Sequence, residues 1–494
     1  MSAAPLRIER DVAMRTRDGV ALRADVWEPE GAPPGPAILW RTPYGKEAAL
    51  PCGFLDPRVA LDRGYRIVVQ DVRGTGTSEG TLEPWLQEEP DGVDAVAWVA
   101  AQPWCDGRVV MAGYSYVGAT QWLAAVGAPP ALRAIAPSIS SDRCGEGWSL
   151  RGDVLELGIL SSWIAAGLLP PEQRWMDDVE RAWTATDELV ALAPWAEPWF
   201  RDPPDQAYWA ARDVRARRAE ITVPVLSIGG WYDVFIGATL AAHAASRHPW
   251  DRLIVGPWAH EVQVMQFAGE RNVGFAANAA EFGLTARVCD FYDAILDGRE
   301  PPLPPVTAYV LNARRWWELD AWPPTGARER ELPLPHGGAF PADPAAPVPA
   351  LGGRALRLWA ADPGYGIRDQ RALAERDDVL AVPLAPLEAD TLLAGPVRAR
   401  LDVAAEGGPL RDWVVTLAVE AADGRWDNLA EAVVRAPVDA PEVVVELGDV
   451  CIQLDAGQRL VVLVAGSSWP RWRPVATAGR QEVRGGALTV TVAG

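Results

Sequence analysis

The chain has 494 residues, too many for one ordinary core, and its 49% apolar and 23% charged residues are those of a soluble globular protein of two or three domains. A formal net charge of -20 opposes a polyphosphate backbone, which argues against nucleic acid as a partner and against steering of anionic substrates. No apolar run approaches the roughly 18 residues of a membrane helix, and the first ten residues lack the apolar core of a signal peptide, so a cytoplasmic protein without membrane contact is expected.

The first part of the chain alternates strands with helices. Val20 to Trp27, Pro36 to Trp40, Tyr65 to Gln70, Arg108 to Ala112 and Leu132 to Pro137 read as short apolar strands. Gly92 to Ala100 and Ala119 to Ala125 have helical spacing. This alternation predicts an α/β domain with a mostly parallel sheet covered on both faces. From about Glu146 to Glu220 the pattern turns helical and tryptophan-rich, with an amphipathic stretch around Trp175 to Leu192 and no convincing strand. Strands resume at Val223 to Gly229 and Asp251 to Gly256. The block therefore reads as a helical cap inserted over the C-terminal edge of the sheet, where α/β folds bind ligands.

Beyond a proline-rich linker at Trp322-Pro323-Pro324 the helical pattern disappears. Arg354 to Trp359, Val397 to Val403, Trp413 to Glu420, Glu442 to Leu447, Arg459 to Val464 and Ala487 to Val492 read as strands between turns, which predicts an all-β sandwich or jelly roll. The expected division is residues 1–145 with 221–324 for the α/β domain, 146–220 for the cap, and 325–494 for the β module.

The chemistry is expected around Ser115, in Gly113-Tyr114-Ser115-Tyr116-Val117-Gly118. A strand, a tight turn and a helix there would hold the hydroxyl clear of the backbone. The spacing departs from Gly-x-Ser-x-Gly, because Val117 stands where the second glycine belongs, and a serine between glycines is often only a turn residue. A serine nucleophile needs a base and a carboxylate to orient it. Histidine is scarce: His243 and His248 fall in or just after the helix from Phe235 to Ser246, and His336 in a turn of the β module. His260 alone ends a strand, and Asp233, read alone a loop or cap residue, ends the strand before it. The order Ser, Asp, His is that of α/β hydrolases. The Tyr116 amide is one oxyanion donor, and Tyr44, after the strand Pro36 to Trp40, offers either a second donor or an ordinary Pro-Tyr-Gly turn. Cys52, Cys105, Cys144, Cys289 and Cys451 show no paired spacing and read as reduced and buried; no histidine spacing suggests a metal site, and no cofactor is expected.

These motifs together resemble the cocaine esterase and X-prolyl dipeptidyl-peptidase family of serine hydrolases. The likeness runs through RTPYGK at Arg41, DVRGTGTSEG at Asp71, QPWCDGRVVMAGYSYVG at Gln102, GGWYDVFIG at Gly229, GPWAH at Gly256 and SSWPRW at Ser467. It accounts for Val117, since the family carries Gly-x-Ser-Tyr-x-Gly. The resemblance implies an α/β-hydrolase domain with a helical cap and a C-terminal jelly roll. Ser115, Asp233 and His260 take the triad roles, and Tyr44 and the Tyr116 amide form the oxyanion hole. It further implies that Trp148, Trp163 and Phe235 line an acyl pocket, against the alternative of ordinary core packing. Amino-acid ester hydrolases of the family carry acids two and three places after the triad Asp; here these are Phe235 and Ile236, which points to an apolar acyl group. The short stretch before Val20 leaves no room for the extra N-terminal domain of the lactic-bacterial peptidases, which argues against proline-specific exopeptidase activity. The expected substrate is a small ester, with amide cleavage, Xaa-Pro dipeptidyl-peptidase, β-lactam acylase or aminopeptidase-like activity on the same triad as alternatives and a non-catalytic binding protein as a rival. A homo-oligomer is left open.

Overall fold

The computed structural model describes residues 5–47, 54–145, 147–260, 266–354, 357–362 and 364–494. Cys52 and Glu146 lie outside the described residues. Ten strands build one sheet: β1 Leu6–Arg15, β2 Ala21–Pro29, β3 Gly35–Thr42, β4 Arg66–Asp71, β5 Cys105–Tyr114, β6 Leu132–Ser138, β7 Leu226–Tyr232, β8 Arg252–Ala259, β9 Val306–Val310 and β10 Arg315–Leu319. Their spatial order is β1-β2-β4-β3-β5-β6-β7-β8-β9-β10. From β4 to β9 the neighbours run parallel, and antiparallel β2, β1 and β10 close the two edges.

The central strands are apolar at consecutive positions because helices cover both faces, so side chains pointing either way leave water. In β5, Val109 and Met111 join the core beneath helices Glu88–Ala100 and Tyr116–Val126, whereas Val110 and Ala112 join the core beneath helix Leu284–Leu296. Ala37 and Leu39 of β3 divide from Ile38 and Trp40 in the same way.

The cap between β6 and β7 differs from the expectation in two places. The amphipathic stretch around Trp175 to Leu192 is helical only in pieces, a 3-10 turn, Val179–Trp183, and a short α-helix, Thr186–Leu192. The β-branched Thr184 and Thr186 with bulky Trp183 favour helix weakly, and Val179, Ala182 and Leu189 reach the core from separate pieces. A two-residue hairpin, Leu150–Arg151 with Val154–Leu155, also turns around Gly152.

The C-terminal all-β domain packs two sheets. Its strands are β11 Arg328–Pro333, β12 Gly338–Ala342, β13 Val379–Pro383, β14 Thr391–Glu406, β15 Leu410–Glu420, β16 Trp426–Pro437, β17 Glu442–Leu454, β18 Leu460–Ala465 and β19 Gly479–Val492. One sheet runs β11-β19-β14-β17, with β12 also on β19, and the other runs β13-β18-β15-β16. The strand expected at Arg354 to Trp359 is absent among its described residues: Arg354 lies in a turn, its guanidinium drawn to three backbone carbonyls, and Trp359 takes a left-handed φ of 61°. One short helix, Arg371–Ala374, also interrupts the module. A single apolar cluster joins Trp231, Val255 and Tyr309 of the large sheet to Trp413 and Val450 of the β module.

Candidate active site

Strand β5 ends in a strained elbow. Ser115 has a φ of 57°, a conformation that costs a non-glycine residue about 1–3 kcal/mol and persists only where its surroundings enforce it. Here the Ser115 N-H points to the carbonyls of Ser138 (3.0 Å) and Ile139 (3.2 Å), and its own carbonyl accepts from Ser140 Oγ (2.7 Å). The glycine spacing follows from the same contacts. A Cβ on Gly113, at φ 132°, would stand 2.2 Å from Val117 Cγ1, and one on Gly118 would stand 2.5 Å from Ser140 Cβ. Glycine is therefore required at 118, where the first helical turn meets the Ser140 loop. Val117 fills the space that Gly113 leaves.

The ends of β5, β7 and β8 bring three side chains into one line. His260 Nε2 lies 3.0 Å from Ser115 Oγ, and His260 Nδ1 lies 2.8 Å from Asp233 Oδ1. All three residues are buried. Asp233 Oδ2 accepts the Phe235 N-H at 3.0 Å, which pins the carboxylate in its turn. A carboxylate only accepts, so Nδ1 carries the hydrogen and Nε2 is left to take the serine proton. Such a line lets the serine oxygen attack as its proton passes to Nε2, with the Asp233 carboxylate facing the imidazolium that forms.

Tyr44 comes to the same point from the end of β3. Its phenol accepts a hydrogen bond from Trp163 Nε1 (3.1 Å) and lies beside the Ser115 hydroxyl. An indole can only donate, so the phenolic hydrogen remains available for an oxygen next to Ser115. Burial, and after it the neighbouring Tyr114, push the phenol well above its ordinary pKa, which keeps it a donor at every working pH. The Tyr116 N-H is the first of its helix, a position without an intrahelical acceptor. Its side chain is anchored below: Tyr116 Oη donates to Glu88 Oε1 (2.9 Å) and accepts from the Trp85 N-H (2.9 Å). Glu88 Oε2 in turn takes Arg41 Nη1 at 2.7 Å. Burial raises the Glu88 carboxyl pKa, and Arg41 pulls it back.

Trp148, Trp163 and Phe235 meet in one buried aromatic box. Trp148 packs on Phe235 with ring centroids 4.3 Å apart and on Trp163 at 5.4 Å, and Phe235 sets its edge against His260 at 5.4 Å. Trp163 closes helix Leu157–Trp163 and is followed at once by a π-helical turn, Ile164–Leu168, a distortion frequent at functional sites. Neither Trp85 nor Trp199 was foreseen. Trp85 stacks on Tyr116 and Trp199 and holds a left-handed φ of 68°. Glu88 was missed too, because acidic residues opening a helix ordinarily face water. Cys105, Cys144, Cys289 and Cys451 are free and buried, and no metal-binding cluster exists among the described residues.

Two family models match the chain: X-Pro dipeptidyl-peptidase (S15 family) over residues 18–262, and the X-Pro dipeptidyl-peptidase C-terminal non-catalytic domain over residues 301–492. The cocaine esterase of a Rhodococcus species is 31% identical over 94% of this chain and 92% of its own length. The chain belongs to the cocaine esterase and X-Pro dipeptidyl-peptidase family of serine hydrolases. The family fold extends to solved structures: an aminopeptidase from a Thaumarchaeota archaeon (22% identity, TM-score 0.86, 99% of this chain and 97% of that one) and an alpha-amino acid ester hydrolase (22% identity, TM-score 0.82, 100% and 97%). Among the described residues of this family member no helix is long and apolar enough to cross a membrane.

Proposed function

We propose that this serine hydrolase cleaves esters of small molecules that carry a hydrophobic acyl group, with amides as slower substrates. Ser115 is the nucleophile, His260 the general base and acid, and Asp233 the group that holds the imidazole tautomer. His260 takes the Ser115 proton as Oγ attacks the carbonyl carbon; Tyr44 and the Tyr116 amide receive the oxyanion; the imidazolium protonates the leaving alkoxide. Water then repeats the sequence on the acyl-enzyme. Trp148, Trp163 and Phe235 hold the acyl group. The division into an α/β domain (1–145 and 221–324), a cap (146–220) and a β module (325–494) belongs to the same reading.

The observation that carries it is the continuous line from Asp233 Oδ1 through His260 to Ser115 Oγ, at 2.8 and 3.0 Å. Phe235 and Ile236, fully buried beside Asp233, favour an apolar acyl group over one bearing an ammonium. The test is hydrolysis of p-nitrophenyl butyrate by wild type and Ser115→Ala. Loss of roughly 10⁴-fold or more in kcat is expected. Undiminished turnover would overturn the mechanism, and a strong preference for an Xaa-Pro anilide would overturn the choice of substrate.

A further inference from the structure

The corner that carries Asp233 is held from outside its own sheet. Asp233 follows Trp231 and Tyr232 of β7 and precedes Val234. A carbonyl two residues before it, Trp231, and the carbonyl of the residue after it, Val234, are taken by two guanidiniums. Arg354, in the β module, donates through Nε to the Trp231 carbonyl at 3.1 Å. Arg151, in the cap hairpin, donates through Nη2 to the Val234 carbonyl at 2.6 Å.

Each guanidinium is fixed in turn. Arg354 is buried, and its other nitrogens donate to the carbonyls of Leu447 (2.9 Å) and Asp449 (2.6 Å) in β17. Gly448 between them has a φ of 82°, and a Cβ there would stand 2.7 Å from Arg354 Nη1, so the strand is shaped to admit the guanidinium. Arg151 pairs with buried Glu156 at 3.1 Å, Glu156 with Arg471 at 3.6 Å, and Arg471 with Glu431 of β16 at 2.6 Å. Both chains of contact therefore end in the β module. A third contact comes from the corner itself, where Tyr232 Oη donates to the Asn428 carbonyl of β16 at 3.3 Å.

We propose that the β module is a positioning element for the reaction, acting through Arg354, Arg151 and Tyr232 to hold the Trp231–Val234 corner so that Asp233 meets His260 Nδ1. This rests on the reading of Asp233 as the residue that orients His260. A buried guanidinium met by main-chain carbonyls, as Arg354 is, is an expensive way to fill a domain interface, since it must be desolvated. Here the two guanidiniums converge on the carbonyls of Trp231 and Val234, one on each side of the corner that carries the Asp233 carboxylate. A shift of about 1 Å in that carboxylate would weaken its bond to the imidazole, and misplacement on this scale costs up to roughly 10²-fold in rate.

The experiment compares wild type, Arg354→Lys and Tyr232→Phe in the full chain. Lysine keeps the charge but has one nitrogen where three carbonyls must be met. Tyr232→Phe removes a single hydroxyl, so it tests the same corner with little demand on folding. The readouts are the pH profile of kcat/KM for p-nitrophenyl butyrate, kcat and KM separately, and the rate at which a fluorophosphonate labels Ser115. Asp233 stabilises the imidazolium, so a loosened corner moves the acid limb of the kcat/KM profile to lower pH. Expected for Arg354→Lys is a kcat reduced roughly tenfold with KM nearly unchanged, well short of the roughly 10⁴-fold lost when a triad carboxylate is removed. Tyr232→Phe should move kcat and the limb the same way by a smaller amount. A folded variant with a lowered thermal midpoint but a wild-type limb and kcat would overturn the proposal, leaving these residues as interface packing. Failure of the underlying reading looks different: wild type itself would then resist labelling by the fluorophosphonate.

Discussion

Tyr44 joins the active-site line to the cap, because the Trp163 indole that donates to its phenol stands on a cap helix. Two substitutions separate the parts of this arrangement. Tyr44→Phe removes the proposed oxyanion donor and is expected to lower kcat by about 10²–10³-fold, the usual loss for one such donor, with KM little changed. Trp163→Phe keeps an aromatic ring but deletes the N-H that turns the phenol, so a smaller loss, about tenfold, is expected in kcat. Both are read from kcat and KM on a nitrophenyl ester, and equal kcat in Tyr44→Phe and wild type would remove Tyr44 from the oxyanion hole. At this scale the placement of Ser115, Asp233 and His260 at strand ends was legible in the sequence, since each stands at the end of an apolar run and only three other histidines compete with His260. Glu88 and Trp85 were not. Their meaning comes from the Tyr116 side chain, 28 residues after Glu88 and 31 after Trp85, a contact that no local pattern encodes.

Among the elements, helix Ile236–Ala244 follows Asp233 directly and contributes Thr239, whose hydroxyl donates to the Ser140 carbonyl behind the elbow. His243 in its last turn has its pKa depressed from 6.5 to about 4, first by burial and second by Arg252. A histidine whose folded pKa is depressed contributes stability that is fully present above about pH 6.5 and is lost as pH falls through about 4, because the unfolded chain binds the proton first. Thermal midpoints measured between pH 7 and pH 4 should therefore fall less steeply for His243→Gln than for wild type; parallel curves would show that His243 takes no part. The parallel strands were readable because continuous apolar runs mark strands covered on both faces. The cap was read less well. Its pieces are too short for a 3.6-residue period to separate a 3-10 turn from an α-helix, and packing among tryptophans decides between them.

On the scale of the whole molecule, the β module and the edge of the large sheet share one apolar cluster, in which Trp231, Tyr309 and Val310 are buried beside Val450 and Ile452. Leu311 also exchanges backbone hydrogen bonds with β17, from its N-H to Cys451 and from the Gln453 N-H to its carbonyl. Separating the two would expose this surface at about 25 cal/mol for each Å² of apolar area. Unfolding in urea should accordingly be a single transition, with loss of esterase activity and loss of near-ultraviolet circular dichroism coinciding. Two resolved transitions would mean that the module folds and melts by itself.

The sequence by itself determined that apolar strands alternate with helices in a mostly parallel sheet and which strand ends carry serine, acid and histidine, because those signals are local: apolar runs, glycine punctuation and order along the chain. It also determined that the spacing at Val117 is tolerable as a family pattern. Only the tertiary structure supplied the reason, which is that Gly118 must pass Ser140 while Val117 covers Gly113. Only the tertiary structure, likewise, gave Arg354 its place against the Trp231 carbonyl, 123 residues away, where the local pattern had read a strand. A buried guanidinium is satisfied by whatever carbonyls the fold brings to it, and those are chosen by packing between domains rather than by neighbours in sequence.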